Sequence, residues 1–236
     1  YFMDYGREIA RAGLEIGAIK LNPDKPFTWA SGFKMPIYND NRMFLFHPEH
    51  RELIVEGFDN LLYSEKMVYD FIAGTSTSGI PPATSLADAL AMPLIYVRDK
   101  PKGHGLQNQI EGIDAESDLR GMHVVLIEDL ISMGGSSARA VQGIRDAKGV
   151  CNNCISIFNY GLKEARDVFN GERSYDEKGN KLSSPCNVNS LLTYDVLLDV
   201  AKEKGRINVG EREMLEEWRE DYLGWGEKHG FPRVEK

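Results

Sequence analysis

The chain has 236 residues, 42% of them hydrophobic and 27% charged, which is the make-up of an ordinary folded protein and excludes a disordered or low-complexity one. Its 28 Lys and Arg against 36 Asp and Glu leave a net charge of −8, so a general polyanion-binding surface and a nucleic-acid partner are not expected, and any phosphate site must be local. No apolar run approaches the roughly 20 residues of a membrane span, and no basic stretch followed by a hydrophobic one opens the chain, so the expectation is a cytoplasmic protein without membrane contact.

Residues 3–20 place Ile9, Ala12, Gly13 and Ile16 at helical spacing and predict a helix ending before Asn22-Pro23. Residues 27–39 (FTWASGFKMPIYN) carry aromatic and β-favouring residues on both sides of Ser31-Gly32, the pattern of a hairpin, here part of a small hood. Pro48 opens a helix whose apolar positions Leu53, Ile54, Gly57, Phe58, Leu61 and Leu62 recur every three or four residues. The rhythm then changes. Short apolar runs at 68–73, 94–97, 124–127 and 155–158 alternate with helical stretches at 80–91, 136–148 and 161–170. This order predicts an α/β protein with a parallel sheet flanked by helices and ligands at the carboxyl ends of its strands.

Residues 171–187 are polar with scattered Gly and Pro and predict an exposed connection. Two helices are expected after it, the first capped by Thr193 and the second presenting Met214, Leu215 and Trp218 on one face. The expected organisation is a single domain over 1–236, with an N-terminal helix and hood at 3–45, an α/β core at 46–170 and C-terminal helices at 188–222. Cys151, Cys154 and Cys186 give an odd count that suggests no disulfide framework. Cys151 and Cys154 have C-x-x-C spacing, but no second pair or nearby His completes a zinc site.

The segment VVLIEDLISMGGSS (124–137) joins an apolar strand to two carboxylates, Glu128 and Asp129. A turn of small residues then opens a helix. Glycines let backbone amides converge on an anion, hydroxyls add donors, and the helix N-terminus contributes roughly 0.3 to 1 kcal/mol per charge. Two acids would repel a bare phosphate, but they suit the hydroxyls of a ribose and the positive charge that develops at its C1. The pairing therefore selects a sugar phosphate. It matches neither a Walker loop nor a G-x-G-x-x-G dinucleotide loop.

Residues 98–112 (RDKPKGHGLQNQIEG) gather Arg98, Lys100, Lys102 and His104 among glycines in an otherwise acidic protein, and predict a flexible loop, of a kind that can close over a pyrophosphate or simply be a solvated basic loop. Lys102 is the first candidate to stabilise the departing charge. GTSTSGIPPAT (74–84) offers small residues at a strand end, with backbone amides suited to the pyrophosphate.

The acidic strand end and its Gly-rich turn resemble the signature of the type I phosphoribosyltransferases. The stretch YVRDKPKGHG, the loop GTSTSGIP and the hood pattern Ser31-Gly32…Pro36 resemble orotate phosphoribosyltransferases. The likeness runs from about residue 8 to about residue 220. It implies that phosphoribosyl pyrophosphate is bound by Glu128, Asp129, Leu130, Ile131, Ser132, Met133, Gly134, Gly135 and Ser136, with Arg98, Lys102 and His104 on the pyrophosphate. The catalytic set would be Lys102, Asp129 and His104.

By the same likeness Ser132 would contact orotate, Lys34 would lie near its carboxylate, and Tyr38 would stack on the base. Mg²⁺ would act through substrate oxygens with no dedicated protein ligand, and a homodimer would share the basic loop across subunits. Some positions depart from the family pattern: Thr77-Ser78 replace a common Tyr-Lys, Ala30 replaces a hood lysine, Asp99 stands where some members have a lysine, and Asn159-Tyr160 stand where some have an arginine. A purine-base phosphoribosyltransferase and a non-catalytic sensor of phosphoribosyl pyrophosphate remain as alternatives. A sensor would need a nucleic-acid-binding element that the net charge disfavours.

Overall fold

The computed structural model of the chain describes residues 3–100, 109–114 and 117–235. Asp4 caps α1 (Tyr5–Ile16) by accepting from the Arg7 amide at 3.1 Å, and Gly17, at φ 75°, ends it. The helix stops short of the expected 3–20, because a left-handed residue turns the chain out of the helix and into β1 (Ile19–Leu21). The hood contains two ribbons. β2 (Phe27–Thr28) and β3 (Lys34–Met35) form the expected hairpin around Ser31-Gly32, whereas β4 (Ile37–Asn39) leaves it to pair antiparallel with β1. A 3₁₀ turn (Asn41–Phe46) leads into α2 (Pro48–Ser64), which begins at its proline.

The chain then winds through β5 (Phe71–Thr75), α3 (Ile80–Leu90), β6 (Leu94–Val97), β7 (Ile110–Glu111), β8 (His123–Ile131), α4 (Gly135–Asp146), β9 (Val150–Asn159), α5 (Lys163–Phe169) and β10 (Asn187–Thr193). Three helices follow: α6 (Tyr194–Glu203), capped by Thr193, α7 (Val209–Glu220) and the short α8 (Trp225–Lys228). The sheet order is β10-β9-β8-β5-β6-β7, parallel except for β7, which runs antiparallel to β6. Three strands depart from the sequence expectation: β1 begins within the stretch expected to be helical, β7 lies within the stretch expected to be a loop, and β10 occupies the start of a stretch expected to be helical.

Successive side chains on a strand point to opposite faces, so each strand feeds two apolar layers. Val125, Ile127 and Ile155 pack with residues of α1, α2, α3, α6 and α7, while Val124, Leu126 and Cys154 pack with α4 and α5. All three cysteines are free and buried in the second layer. Among the described residues no helix is long and apolar enough to cross a membrane.

An aromatic cluster fastens the hood to the later helices. Trp218 of α7 is fully buried with its ring 6.0 Å from Trp29, 5.3 Å from Tyr160 and 5.6 Å from Tyr194, and its Nε1 donates to the Met35 sulfur at 2.9 Å. Trp218→Ala is expected to cost about 3 to 5 kcal/mol, read as a lower urea midpoint with an unchanged slope.

Candidate active site

The carboxyl ends of β5, β6, β8 and β9 lie side by side, and the sequence segments singled out above are the chain immediately beyond them. After β5, the Ser76 amide donates to the Val97 carbonyl at 2.9 Å, and the Ser76–Thr77 peptide is cis. Gly79 closes this loop. A Cβ there would sit 2.2 Å from the Thr75 hydroxyl and 2.5 Å from the Ile127 carbonyl, so only glycine fits. Ser76, Ile80, Tyr96, Arg98, Asp99 and Lys100 line an open groove of about 400 Å³ between the β5 and β6 ends.

Arg98 lies half-buried in that groove. Its guanidinium pairs with Glu111 at 3.2 Å, and its Nε is buried without a hydrogen-bond partner among the described residues. Asp99 is ion-paired with Arg139 of α4. The expected roles of Lys102 and His104 fall outside the described residues.

β8 continues past both acids to Ile131, so Glu128 and Asp129 stand within the strand and face opposite sides of the sheet. Glu128 is buried. One of its oxygens accepts from the Thr75 hydroxyl at 2.7 Å and from the Asp129 amide at 3.0 Å, and the other accepts from the Ser137 hydroxyl at 2.8 Å. It therefore ties the ends of β5 and β8 to the first turn of α4.

Asp129 turns to the hood side, where Asn41 donates to its backbone carbonyl at 2.7 Å. Burial first, and then the charge of Glu128, push the Asp129 carboxyl up to about 8. It also borders a cavity of about 30 Å³ shared with Asn41, Arg42, Arg51 and Ser78, room for about one water. Tyr160, after β9, is buried nearby, and burial raises its hydroxyl pKa.

Leu130 and Ile131 are paired with Phe158 and Asn159, and their side chains pack against the two apolar layers. Ser132, Met133 and Gly134 make the turn. Gly134, at φ 79°, precedes α4, whose start has no side-chain cap. The first-turn amides at Gly135 and Ser136 therefore point from a helix end that suits an anion. A Cβ on Gly134 would meet the Phe169 ring at 2.9 Å, which fixes glycine there. Exposed Met133 accepts from the Tyr222 hydroxyl at 2.8 Å through its sulfur.

In the hood, the Lys34 ammonium donates to the Thr28 hydroxyl at 2.7 Å across the hairpin. Tyr38 is 38% exposed, with its ring 5.9 Å from that of Phe27 and the Lys20 ammonium 6.0 Å above it, and so is outside the core.

Comparison with known proteins agrees with this layout. Residues 47–171 match the phosphoribosyl transferase domain. The chain is 40% identical over 215 residues to the orotate phosphoribosyltransferase of Staphylococcus haemolyticus, covering 91% of this chain and 98% of that one. The chain belongs to the orotate phosphoribosyltransferase family. Members of that family are pentosyltransferases. The fold agrees as well: an orotate phosphoribosyltransferase from Aeropyrum pernix superposes with a TM-score of 0.65 at 22% identity, over 85% of this chain and 99% of that one. The Mycobacterium tuberculosis H37Rv enzyme in complex with 5-phospho-alpha-D-ribosyl 1-diphosphate superposes with a TM-score of 0.58 at 20% identity, over 83% and 99%.

Sequence reasoning missed Thr75 and Ser137 as the hydroxyls that hold Glu128, although both lie in the small-residue segments it singled out. It also missed Asn41, for which no local signal exists. Thr75→Val and Ser137→Ala each leave a buried carboxylate short of a donor, at about 1 to 3 kcal/mol. Both are expected to lower the thermal midpoint and to raise the KM for phosphoribosyl pyrophosphate more than that for orotate.

Proposed function

We propose that the chain joins orotate to the ribose 5-phosphate of phosphoribosyl pyrophosphate, giving orotidine 5′-phosphate and pyrophosphate in UMP synthesis. The observation that carries this reading is the uncapped start of α4 just beyond buried Glu128 and partly buried Asp129 at the carboxyl edge of a parallel sheet. An anion-gripping helix end beside a hydroxyl-accepting carboxylate fits a sugar phosphate better than a nucleotide or a bare phosphate.

In this reading the amides of Gly134, Gly135 and Ser136, with the Ser132 and Ser136 hydroxyls, hold the 5-phosphate. Asp129 accepts from the ribose hydroxyls, and Glu128 keeps the turn in place. The pyrophosphate lies in the groove walled by Ser76, Arg98 and Lys100, and Lys102 and His104 reach it from beyond the described residues. Orotate lies under the hood, with Ser132 on one side and Lys34 and Tyr38 of the hood on the other.

A ring nitrogen of orotate loses its proton to solvent or to the departing pyrophosphate and forms a bond to C1 as the bond from C1 to the pyrophosphate oxygen breaks, and the leaving oxygen keeps the electron pair. The protein supplies orientation and charge stabilisation, and no covalent nucleophile is involved. Mg²⁺ would neutralise charge on the leaving group through substrate oxygens. The Asp129 carboxylate is a hard oxygen acceptor that suits the water shell of such an ion, and a cation nearby would favour its ionised form.

The active form in this proposal is a cytoplasmic homodimer whose basic segments reach across to the neighbouring site. Phe46, 87% exposed beside exposed Met43 and Leu45, offers apolar surface for a second copy to cover. Full activity from a monomer in sedimentation at assay concentration would contradict this part.

The activity test is the fall in orotate absorbance with Mg²⁺ and phosphoribosyl pyrophosphate present, run in parallel with adenine, xanthine and uracil. Turnover of orotate alone is expected. Turnover of a purine without turnover of orotate would replace this reading with a purine-base enzyme.

A further inference from the structure

The tip of the hood hairpin is held by a segment about two hundred residues away in sequence. The Val234 amide donates to the Gly32 carbonyl at 2.9 Å, and Arg233 Nε donates to the Ser31 carbonyl at 3.1 Å. The Arg233 guanidinium also lies over the Phe33 ring, 4.5 Å from its centroid. The approach is so close that a Cβ on Gly32, whose φ is 83°, would fall 2.3 Å from the Val234 carbonyl. The segment is anchored in turn, with Phe231 stacked on buried Trp225 at 6.1 Å and its amide donating to the Gly226 carbonyl at 2.7 Å. Gly226 itself packs against the Lys34 backbone, where a Cβ would meet the Lys34 carbonyl at 3.1 Å.

We propose that residues 231–234 are a strap that positions the Ser31-Gly32 tip of the hood over the base site, with Arg233 as its principal positioning residue. The inference rests on the reading of the hood as the orotate-binding element. The hairpin is short: β2 and β3 have two residues each, which is little ladder to hold a loop on its own. Two donors on consecutive carbonyls and a cation over the adjoining ring fix the tip from outside. Among the described residues, the strap's hydrogen bonds and ring contacts go to the hood tip and to α8, not to the acidic strand end or the α4 turn, so its effect should fall on the base and spare the sugar phosphate.

The test is the full-length Arg233→Ala/Val234→Pro double variant. It removes the guanidinium and the backbone donor while leaving the hood sequence intact. Steady-state kinetics in both substrates are read beside hydrogen exchange of the hairpin amides, with Lys34→Ala as the hood control.

The expected result is faster exchange at the hairpin and a KM for orotate raised about tenfold, with kcat and the KM for phosphoribosyl pyrophosphate within about twofold of the parent. Unchanged exchange at the hairpin would overturn the strap whatever the kinetics show, and so would an equal rise in both KM values. If exchange quickens but neither the double variant nor Lys34→Ala alters the KM for orotate, the hood is not the base-binding element and the proposed purpose of the strap falls with it. If Lys34→Ala raises that KM and the double variant does not, the orotate reading stands and the strap fails.

Discussion

Replacing Asp129 with Asn is expected to lower kcat/KM for phosphoribosyl pyrophosphate about 10²- to 10³-fold, the usual cost of removing one well-placed polar group from an enclosed site. The geometry singles out Asp129 because its neighbour already has work: both oxygens of Glu128 accept from Thr75, Ser137 or the Asp129 amide. Asp129 is the acid turned toward the hood, and its environment is costly for a charge. Burial and the charge of Glu128 raise it to about 8, so in the free protein it holds a proton through much of the neutral range. Accepting from ribose hydroxyls and facing a positive C1 both favour the ionised form. The parent enzyme should therefore show kcat/KM for phosphoribosyl pyrophosphate rising with pH through about 8, and the Asn variant should lose that limb.

Stability should move the other way. A carboxyl whose folded pKa is raised stabilises the fold most below its unfolded value of 3.8, and this contribution is lost as pH climbs to about 8. Asp129→Asn should accordingly melt no lower than the parent above pH 8, which separates lost chemistry from lost fold. A flat pH profile in the parent, or a variant with near-parental turnover, would remove Asp129 from its assigned role.

The second large effect is expected at Lys102, where replacement by Ala should cut kcat about 10²-fold or more while substrate binding changes less. The argument comes from charge placement. The chain carries −8 overall, yet its stretch from Arg98 concentrates cations directly beyond β6, where Arg98 and Lys100 already line the groove next to the β5 loop. A departing pyrophosphate gains charge late in the reaction, so a cation that meets it then acts on kcat more than on KM. Single-turnover kinetics would show the loss in the chemical step. Near-parental turnover would instead leave the task to His104 or Arg98.

The parts of the site legible in the sequence are those made by consecutive residues. The run 124–137 showed its acids, its turn and its helix because strand, carboxylates and glycines adjoin in the chain, and β6 and the start of α2 were equally plain. Elements formed through distant pairing were not. β1 exists because Gly17 ends α1 and β4 comes back to pair with it. β10 reads poorly as a strand because Asn187, Asn189 and Ser190 interrupt its apolar residues, which an edge position tolerates with β9 on one side. β7 has only two residues, and β6 gives them their form.

The same distinction runs through the site. Asn41 reaches the Asp129 carbonyl from 88 positions away and Thr75 reaches Glu128 from 53, and no local pattern marks either contact. The acidic pair looked like one feature in the sequence. Strand alternation divides it into an anchor, Glu128, and an acid on the hood side, Asp129.

The most direct test of the sugar-phosphate grip is a crystal structure of the protein soaked with phosphoribosyl pyrophosphate and Mg²⁺. The expected density places the 5-phosphate oxygens within about 3 Å of the amides of Gly134, Gly135 and Ser136, with the ribose hydroxyls on Asp129. A ligand bound elsewhere while that turn stays vacant, or a ribose turned away from Asp129, would contradict it.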